Sequence, residues 1–219
     1  MKVVAVVLTH QALTFDRLTM LSDTAQSLRE ADEVLIVDNG STDGSAVRVE
    51  DLGGFAYRPA DGVTTCGRGM NICITIAAKR GDVIVFSNDD IAWRPGWRAQ
   101  LEAFWAGAPD DVKIASGLLE IDYPWNKPRG VVDAGGVRGL VREPVPGGAW
   151  TLRSSDWPLV GPVPEVRGWD DVPTCHRVNG KGWRCVALDL CDHAGEGSST
   201  WGNGSAAFGV PLDREAWGL

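Results

Sequence analysis

The chain is short of positive charge: 21 Lys and Arg stand against 29 Asp and Glu, a net charge of −8, and no run of basic residues offsets the balance. Broad electrostatic attraction to nucleic acid or to an anionic membrane is thereby disfavoured, although one local basic groove could still form. Long hydrophobic runs are also missing, so no stretch is expected to span a bilayer. The opening run Met1-Lys2-Val3-Val4-Ala5-Val6-Val7-Leu8 is too short for the apolar region and cleavage site of a signal peptide and reads as a first strand. A cytoplasmic location is the expectation. The five cysteines are an odd number at irregular spacing, which argues against a disulfide framework. Cys175, Cys185 and Cys191 lie near His176 and His193 and raise a zinc site, but no close Cys-x-x-Cys pair exists, and buried free thiols are the simpler reading.

What is present is the composition of a soluble globular protein, 44% hydrophobic and 23% charged over 219 residues, enough to bury a core without staples. Residues 3–8 and 33–37 are short β-branched runs. Between them Leu18, Leu21, Ala25 and Leu28 recur at helical spacing. A strand, helix, strand unit of this kind implies parallel strands with a right-handed crossover. The second strand ends in Asp38-Asn39-Gly40-Ser41-Thr42-Asp43-Gly44, rich in turn and cap residues. A brief strand near Phe55, a helix carrying Asn71, Ile72, Ile76 and Ala77, and the apolar run Val83-Ile84-Val85-Phe86 follow. Pro95-Gly96-Trp97 opens another helix. After about residue 108 Pro and Gly become frequent. Strands are expected near 113–119, 148–152 and 184–190, and 122–147 shows no clear periodicity. This half reads as a mixed, partly antiparallel extension of the sheet with long loops, which usually carry function. Ten Trp are many for this length. Most are expected in the core, while Trp93, Trp97, Trp150, Trp157 and Trp169 are placed to stack on a sugar as well.

Asn88-Asp89-Asp90 stands where the apolar run of 83–86 stops. Adjacent carboxylates at the mouth of a buried strand are costly without a partner, and a hard divalent cation carrying a diphosphate suits them. Asp38 ends an earlier strand, and open α/β sheets bind ligands beyond the carboxyl ends of their strands. A carboxylate at that position accepts hydrogen bonds from a ribose or a base N–H, and is expected to contribute little to the core. Asp170-Asp171 and His193 have a spacing that allows them to reach the same edge.

The succession from Val34 through Asp38 to Ser45, then Gly67, Gly69 and Asn71, then Val83 through Asp90, resembles the nucleotide-binding half of the GT-A-fold glycosyltransferases of family two. Gly148-Ala149-Trp150, Gly168-Trp169-Asp170-Asp171-Val172, Cys175-His176-Arg177, Gly182-Trp183 and His193 with Ser198 resemble the acceptor-side segments of that family, so the likeness covers nearly the whole chain. It implies an α/β fold with an open, Rossmann-like mixed sheet flanked by helices. The chain would then be a single domain, with a nucleotide-sugar-binding lobe over about 1–108 and an acceptor lobe over about 109–219. It implies that Thr9, Asp38, Asn71, Asn88 and Asp89 contact the nucleotide-sugar donor. Gly148, Ala149, Trp150, Trp169 and Asp170 would face the acceptor. Asp90 and His193 would hold Mn²⁺ or Mg²⁺, and Asp171 would be the catalytic base. The activity implied is transfer of a sugar from a nucleoside-diphosphate sugar to an acceptor hydroxyl with inversion.

The chain departs from the pattern in three places. The first acidic position of the metal motif is Asn88, the acidic residue often found two places after the base is Pro173, and 122–147 matches nothing assignable. The chain stops at Leu219, short of the extra helices and membrane segments of many relatives, so a small or soluble acceptor is expected; a glycan, or a hydroxylated base in DNA, is the alternative. A nucleotidyltransferase would require a basic Gly-rich loop for a triphosphate, which Thr9-His10-Gln11-Ala12 does not offer. A nucleotide- or sugar-binding module without catalysis would have no need to keep Asp90, Asp171 and His193 together.

Overall fold

The computed structural model describes residues 1–14, 16–119, 127–165 and 171–194; Ser198, Trp169 and Asp170 lie outside them. In chain order the elements are β1 (Val3–Thr9), α1 (Leu18–Ser27), β2 (Glu33–Asp38), α2 (Ser45–Asp51), β3 (Phe55–Ala56), α3 (Cys66–Ala78), β4 (Val83–Asn88), β5 (Ile91–Trp93) and α4 (Trp97–Gly107). There follow β6 (Val112–Leu118), β7 (Gly130–Ala134), β8 (Val137–Val141), β9 (Trp150–Arg153), α5 (Trp157–Val160), α6 (Asp171–Gly180) and β10 (Arg184–His193). The ten described strands form one sheet in the order β3-β2-β1-β4-β9-β6-β10-β8-β7, with β5 paired to β10.

Every residue of β1 is buried, as a central parallel strand covered on both faces requires. Its alternate residues divide between two cores. Val3, Ala5 and Val7 join Leu21, Trp97 and Phe104 on the side of α1 and α4. Val4, Val6 and Leu8 join Met70, Ile74 and Val178 on the side of α3 and α6. The period of two in the strand thus assigns each side chain to one helical layer.

Register decides where the site lies. In the parallel block Thr9 sits opposite Asp38, and Leu8 opposite Asn88, so three strands end level with one another. β9 runs antiparallel between β4 and β6, and β6 and β10 are parallel. The carboxyl ends of β2, β1, β4, β6 and β10 therefore share one edge of the sheet, the edge where open α/β sheets bind ligands.

Two findings depart from the sequence reading. Residues 130–141, expected as loop, form the hairpin β7–β8, closed by Gly135-Gly136 with φ of +57° and +79°. A two-residue turn with both φ positive is the tight hairpin connection that glycine permits. Gly135 also lies so close to α4 that a Cβ would come within 2.0 Å of the Ala103 carbonyl oxygen. Ile91–Trp93, too short for any periodic signal, pairs antiparallel with β10 and sets His193 opposite Ile91.

Candidate active site

The turn after β4 is held down from below. The Thr9 hydroxyl donates to Asp89 Oδ2 at 2.5 Å, Arg17 approaches Asp89 Oδ1 at 3.6 Å, and Thr24 Oγ1 donates to the Asp89 carbonyl at 3.1 Å. Trp93, buried beneath the turn, donates from Nε1 to Ser87 Oγ at 3.2 Å. Thr9 and Asp89, both expected as donor contacts, are thus bonded to each other, and burial pushes the Asp89 carboxyl up against the opposing pull of Thr9 and Arg17.

Asp90 is different. It is 5% exposed, and its Oδ1 is buried with no hydrogen-bond partner. Burial, then repulsion from Asp89, raises its pKa from 3.8 to about 7. The Ala194 amide donates to the Asp90 carbonyl at 2.7 Å, which brings the end of β10, and His193 with it, against this turn. Among the described residues no three His, Cys, Asp or Glu side chains form a complete metal cage. A hard divalent cation that also carries a diphosphate asks for less, one or two carboxylates with the remaining positions left to phosphate and water oxygens. The orphaned Oδ1 of Asp90, with Asp89 beside it and His193 at the same edge, fits that requirement.

Asp38 ends β2 level with Thr9, but its carboxylate is wholly buried and turned into its own loop. It accepts from the Ser41 amide at 3.0 Å and from the Ser41 hydroxyl, with Arg58 at 3.7 Å. The expectation that it contributes little to the fold is corrected: it organises residues 39–45. That loop is in turn zipped to residues 10–14. The Gln11 amide donates to Ser41 Oγ at 2.8 Å, the Leu13 amide to Ser45 Oγ at 2.9 Å and the Thr14 amide to Asp43 Oδ2 at 2.7 Å. A cavity of about 570 Å³ opens beside it, lined by Gly40, Ser41, Thr42, Arg58 and Thr64 among others.

Asp171 is the first residue of α6. Its Oδ2 accepts the Gly147 amide at 2.9 Å and its Oδ1 the Val172 amide at 3.0 Å. Burial raises its pKa to about 6, the two backbone donors restraining the rise. Gly147 and Gly148 join it to the β4 turn. A Cβ on Gly147 would fall 2.8 Å from Asp171 Cβ, and one on Gly148 would fall 3.2 Å from Asn88 Nδ2. One dipeptide therefore separates Asp171 from Asn88, so closely that a Cβ at Gly147 would force a shift and one at Gly148 would make the Asn88 side chain give by a few tenths of an ångström.

Several residues expected at the site lie inside the fold. Ala149 and Trp150, expected at the acceptor, have buried side chains where β9 is inserted between β4 and β6. Trp93 and Trp97 are likewise too buried to stack on a sugar. Asn71 was expected at the donor, but both ends of its amide are engaged by the Val163 backbone, at 2.9 and 2.7 Å. Cys73, Cys175, Cys185 and Cys191 are buried thiols in no disulfide, and Cys66, also in no disulfide, is exposed. Two contributors went unread. Arg17 lies in an aperiodic loop that carries no signal. Gly147 was signalled by Gly147-Gly148-Ala149, but the acceptor segment was read from Gly148 onward, one residue late.

An open mixed sheet flanked by helices, with carboxylates gathered at one edge, has the architecture of the GT-A fold. The model of the family described as glycosyl transferase family 2 matches residues 12–131, more than half of the chain, and the chain belongs to that family. No curated protein registers as a match. Among solved structures, the chain is similar to a mannosyltransferase of Pyrobaculum calidifontis in complex with GDP-mannose and Mn²⁺. That likeness has 20% identity and a TM-score of 0.61, over 90% of this chain and 57% of the other. It is similar to residues 1–349 of S. aureus TarS in complex with UDP-GlcNAc, with 15% identity and a TM-score of 0.58 over 91% and 61% of the two chains. It is also similar to glucosyl-3-phosphoglycerate synthase of Mycobacterium tuberculosis with Mn²⁺, UDP-glucose and phosphoglyceric acid, with 17% identity and a TM-score of 0.54 over 97% and 81%. The chain thus spans less than two thirds of the first two. At these identities the likeness establishes the fold.

Proposed function

We propose that this chain transfers a sugar from a nucleoside-diphosphate sugar to an acceptor hydroxyl, with inversion at the anomeric carbon, and that the reaction depends on a divalent metal. The observation that carries the reading is the buried, unpartnered Oδ1 of Asp90 at the edge where the ends of β1, β2, β4 and β10 meet and Asp171 approaches. Relatives of the same fold hold GDP-mannose with Mn²⁺, or UDP-glucose with Mn²⁺.

In this reading Asp90 and His193 hold Mn²⁺ or Mg²⁺, which when bound neutralises the departing nucleoside diphosphate. Asp38 and the loop it orders, together with Thr9, Asn88 and Asp89, form the donor end. Asp171 Oδ takes the proton from the acceptor hydroxyl as that oxygen bonds to the anomeric carbon and the bond to the diphosphate oxygen breaks. Its pKa of about 6 leaves it ionised at neutral pH yet basic enough for the task. The Gly147 amide fixes which way the carboxylate points. Gly148, and Trp169 and Asp170 outside the described residues, are assigned to the acceptor side.

The test is a panel of nucleotide-sugars assayed for Mn²⁺-dependent release of nucleoside diphosphate. Turnover of one sugar nucleotide, lost on chelation of the metal, is expected. Failure of every UDP- and GDP-sugar to turn over would remove the reading, and binding without turnover would favour a module that has lost catalysis.

A further inference from the structure

Residues 161–165 belong to no helix or strand, yet this short strap is fastened from two sides. From α6, Arg177 donates through Nε to the Val160 carbonyl at 3.0 Å and through a terminal nitrogen to the Pro162 carbonyl at 2.7 Å. From α3, Asn71 donates to the Val163 carbonyl at 2.9 Å and accepts the Val163 amide at 2.7 Å. One turn earlier Arg68 reaches Glu165 at 2.9 Å, and the same guanidinium holds Asp61 at 2.7 Å and the Val63 carbonyl at 2.8 Å. Val163 is buried among Met70, Ile74 and Val178, so the strap is packed between the two helices as well as bonded to them.

The same helix α3 is tied to the donor end. Asn39, next to Asp38, donates to the Thr65 carbonyl at 3.0 Å, and Gly69 lies so near Leu8 that a Cβ would come within 2.8 Å of its side chain. A continuous line of bonded groups therefore runs from the end of β2, through α3 and residues 160–165, to α6, whose first residue is Asp171.

We infer that Asn71, Arg68 and Arg177 are positioning residues: through the strap they set Asp171 against the donor end of the sheet. The inference rests on Asp171 being the base proposed above. An amide used at both ends by one backbone residue is unavailable to a ligand unless the strap lets go, which separates this role from that of a donor contact. A misplacement of the base by about 1 Å is enough to cost up to about a hundredfold in rate, so a fastening far from the chemistry can matter to it.

Asn71→Ala and Arg177→Ala release the strap from opposite sides and are compared in the whole chain. Each is expected to keep the Kd for UDP or GDP, measured with Mn²⁺ by calorimetry, within about twofold of the parent, while kcat for the nucleotide-sugar the parent turns over falls about tenfold. Amide deuterium exchange is expected to quicken in 160–165 and in the first turn of α6, and to stay unchanged in β1 and β4. Arg177→Lys, which keeps one donor, is expected to recover part of the lost kcat. A raised Kd with unchanged exchange in α6 would make Asn71 a donor contact and overturn the inference. So would a lower melting temperature with parental kcat per folded molecule. If the parent turns over no nucleotide-sugar, the transferase reading fails by itself, and the exchange arm still decides whether the strap couples α3 to α6.

Discussion

Asp90 is held at a disadvantage by its surroundings, and that disadvantage can be measured. Its pKa is about 7 in the folded chain against an ordinary 3.8, so between those values the folded state binds the extra proton. Stability is then lost as pH rises from about 4 to about 7 and stays lost above it. Without metal, Asp90→Asn is expected to melt higher than the parent at pH 8, by roughly 2–4 °C for each kcal/mol recovered, and to match it near pH 3.5. Mn²⁺ should raise the melting temperature of the parent and leave the variant nearly unmoved; equal melting of the two proteins at pH 8 would show that the carboxylate is not strained. Asp171→Asn tests the other carboxylate. It should bind UDP or GDP with Mn²⁺ like the parent and lose roughly two orders of magnitude or more in transfer. The parental rate should fall as pH drops through about 6, where the carboxyl with raised pKa takes up its proton, and the variant should lack that limb. Asp38→Ala should cost about 1–3 kcal/mol in denaturant unfolding as well as weaken nucleotide binding, because Ser41 loses its acceptor. The carboxylates at 38, 89 and 90 were legible in the sequence since each follows an apolar run, whereas Asp171 was legible only through the family resemblance. Which of them would be spent inside the protein was not, because Ser41 and Arg17 meet Asp38 and Asp89 through loop geometry that has no period.

At the scale of elements, β-branched runs announced β1, β2 and β4, and the strands expected near 113–119, 148–152 and 184–190 are found at 112–118, 150–153 and 184–193. The hairpin of 130–141 was hidden because short strands split by two glycines leave no window long enough to show alternation. The burial of Trp150 was illegible for a related reason. A Gly-rich approach to an aromatic residue looks the same whether the aromatic then faces a ligand or enters a sheet centre, and only the pairing of β9 with both β4 and β6 decides it. That pairing also explains the glycines before it. Residues 147–148 pass between α6 and the β4 turn, and a Cβ at Gly147 would fall 2.8 Å from Asp171 Cβ, so Gly147→Ala is expected to push Asp171 out of line. Transfer should fall about tenfold or more while nucleotide affinity holds; parental kcat in this variant would mean that the helix end simply gives way.

For the whole molecule, the two edges of the sheet divide the work. The site edge collects strained and loosely paired groups. The opposite edge carries a buried ion pair, Lys113 with Asp156 at 2.6 Å, with Trp183 facing the ammonium at 5.6 Å. Removing one partner of such a pair leaves an uncompensated buried charge. Asp156→Ala should therefore lower stability by about 3–5 kcal/mol in denaturant unfolding, with nucleotide affinity of the folded fraction unchanged; a large change in affinity would show that the edges are not independent. The order of strands has one more consequence. The stretch matched by the family model ends at residue 131, whereas the strand lying between β4 and β6 comes only at 150–153. A fragment cut after residue 131 would present the unsatisfied backbone of β4 and β6 to its neighbours in solution, two open templates for stacking one chain on the next. The matched stretch is thus not expected to fold on its own, and expressed alone it should precipitate where the full chain stays dispersed, a difference that light scattering would register.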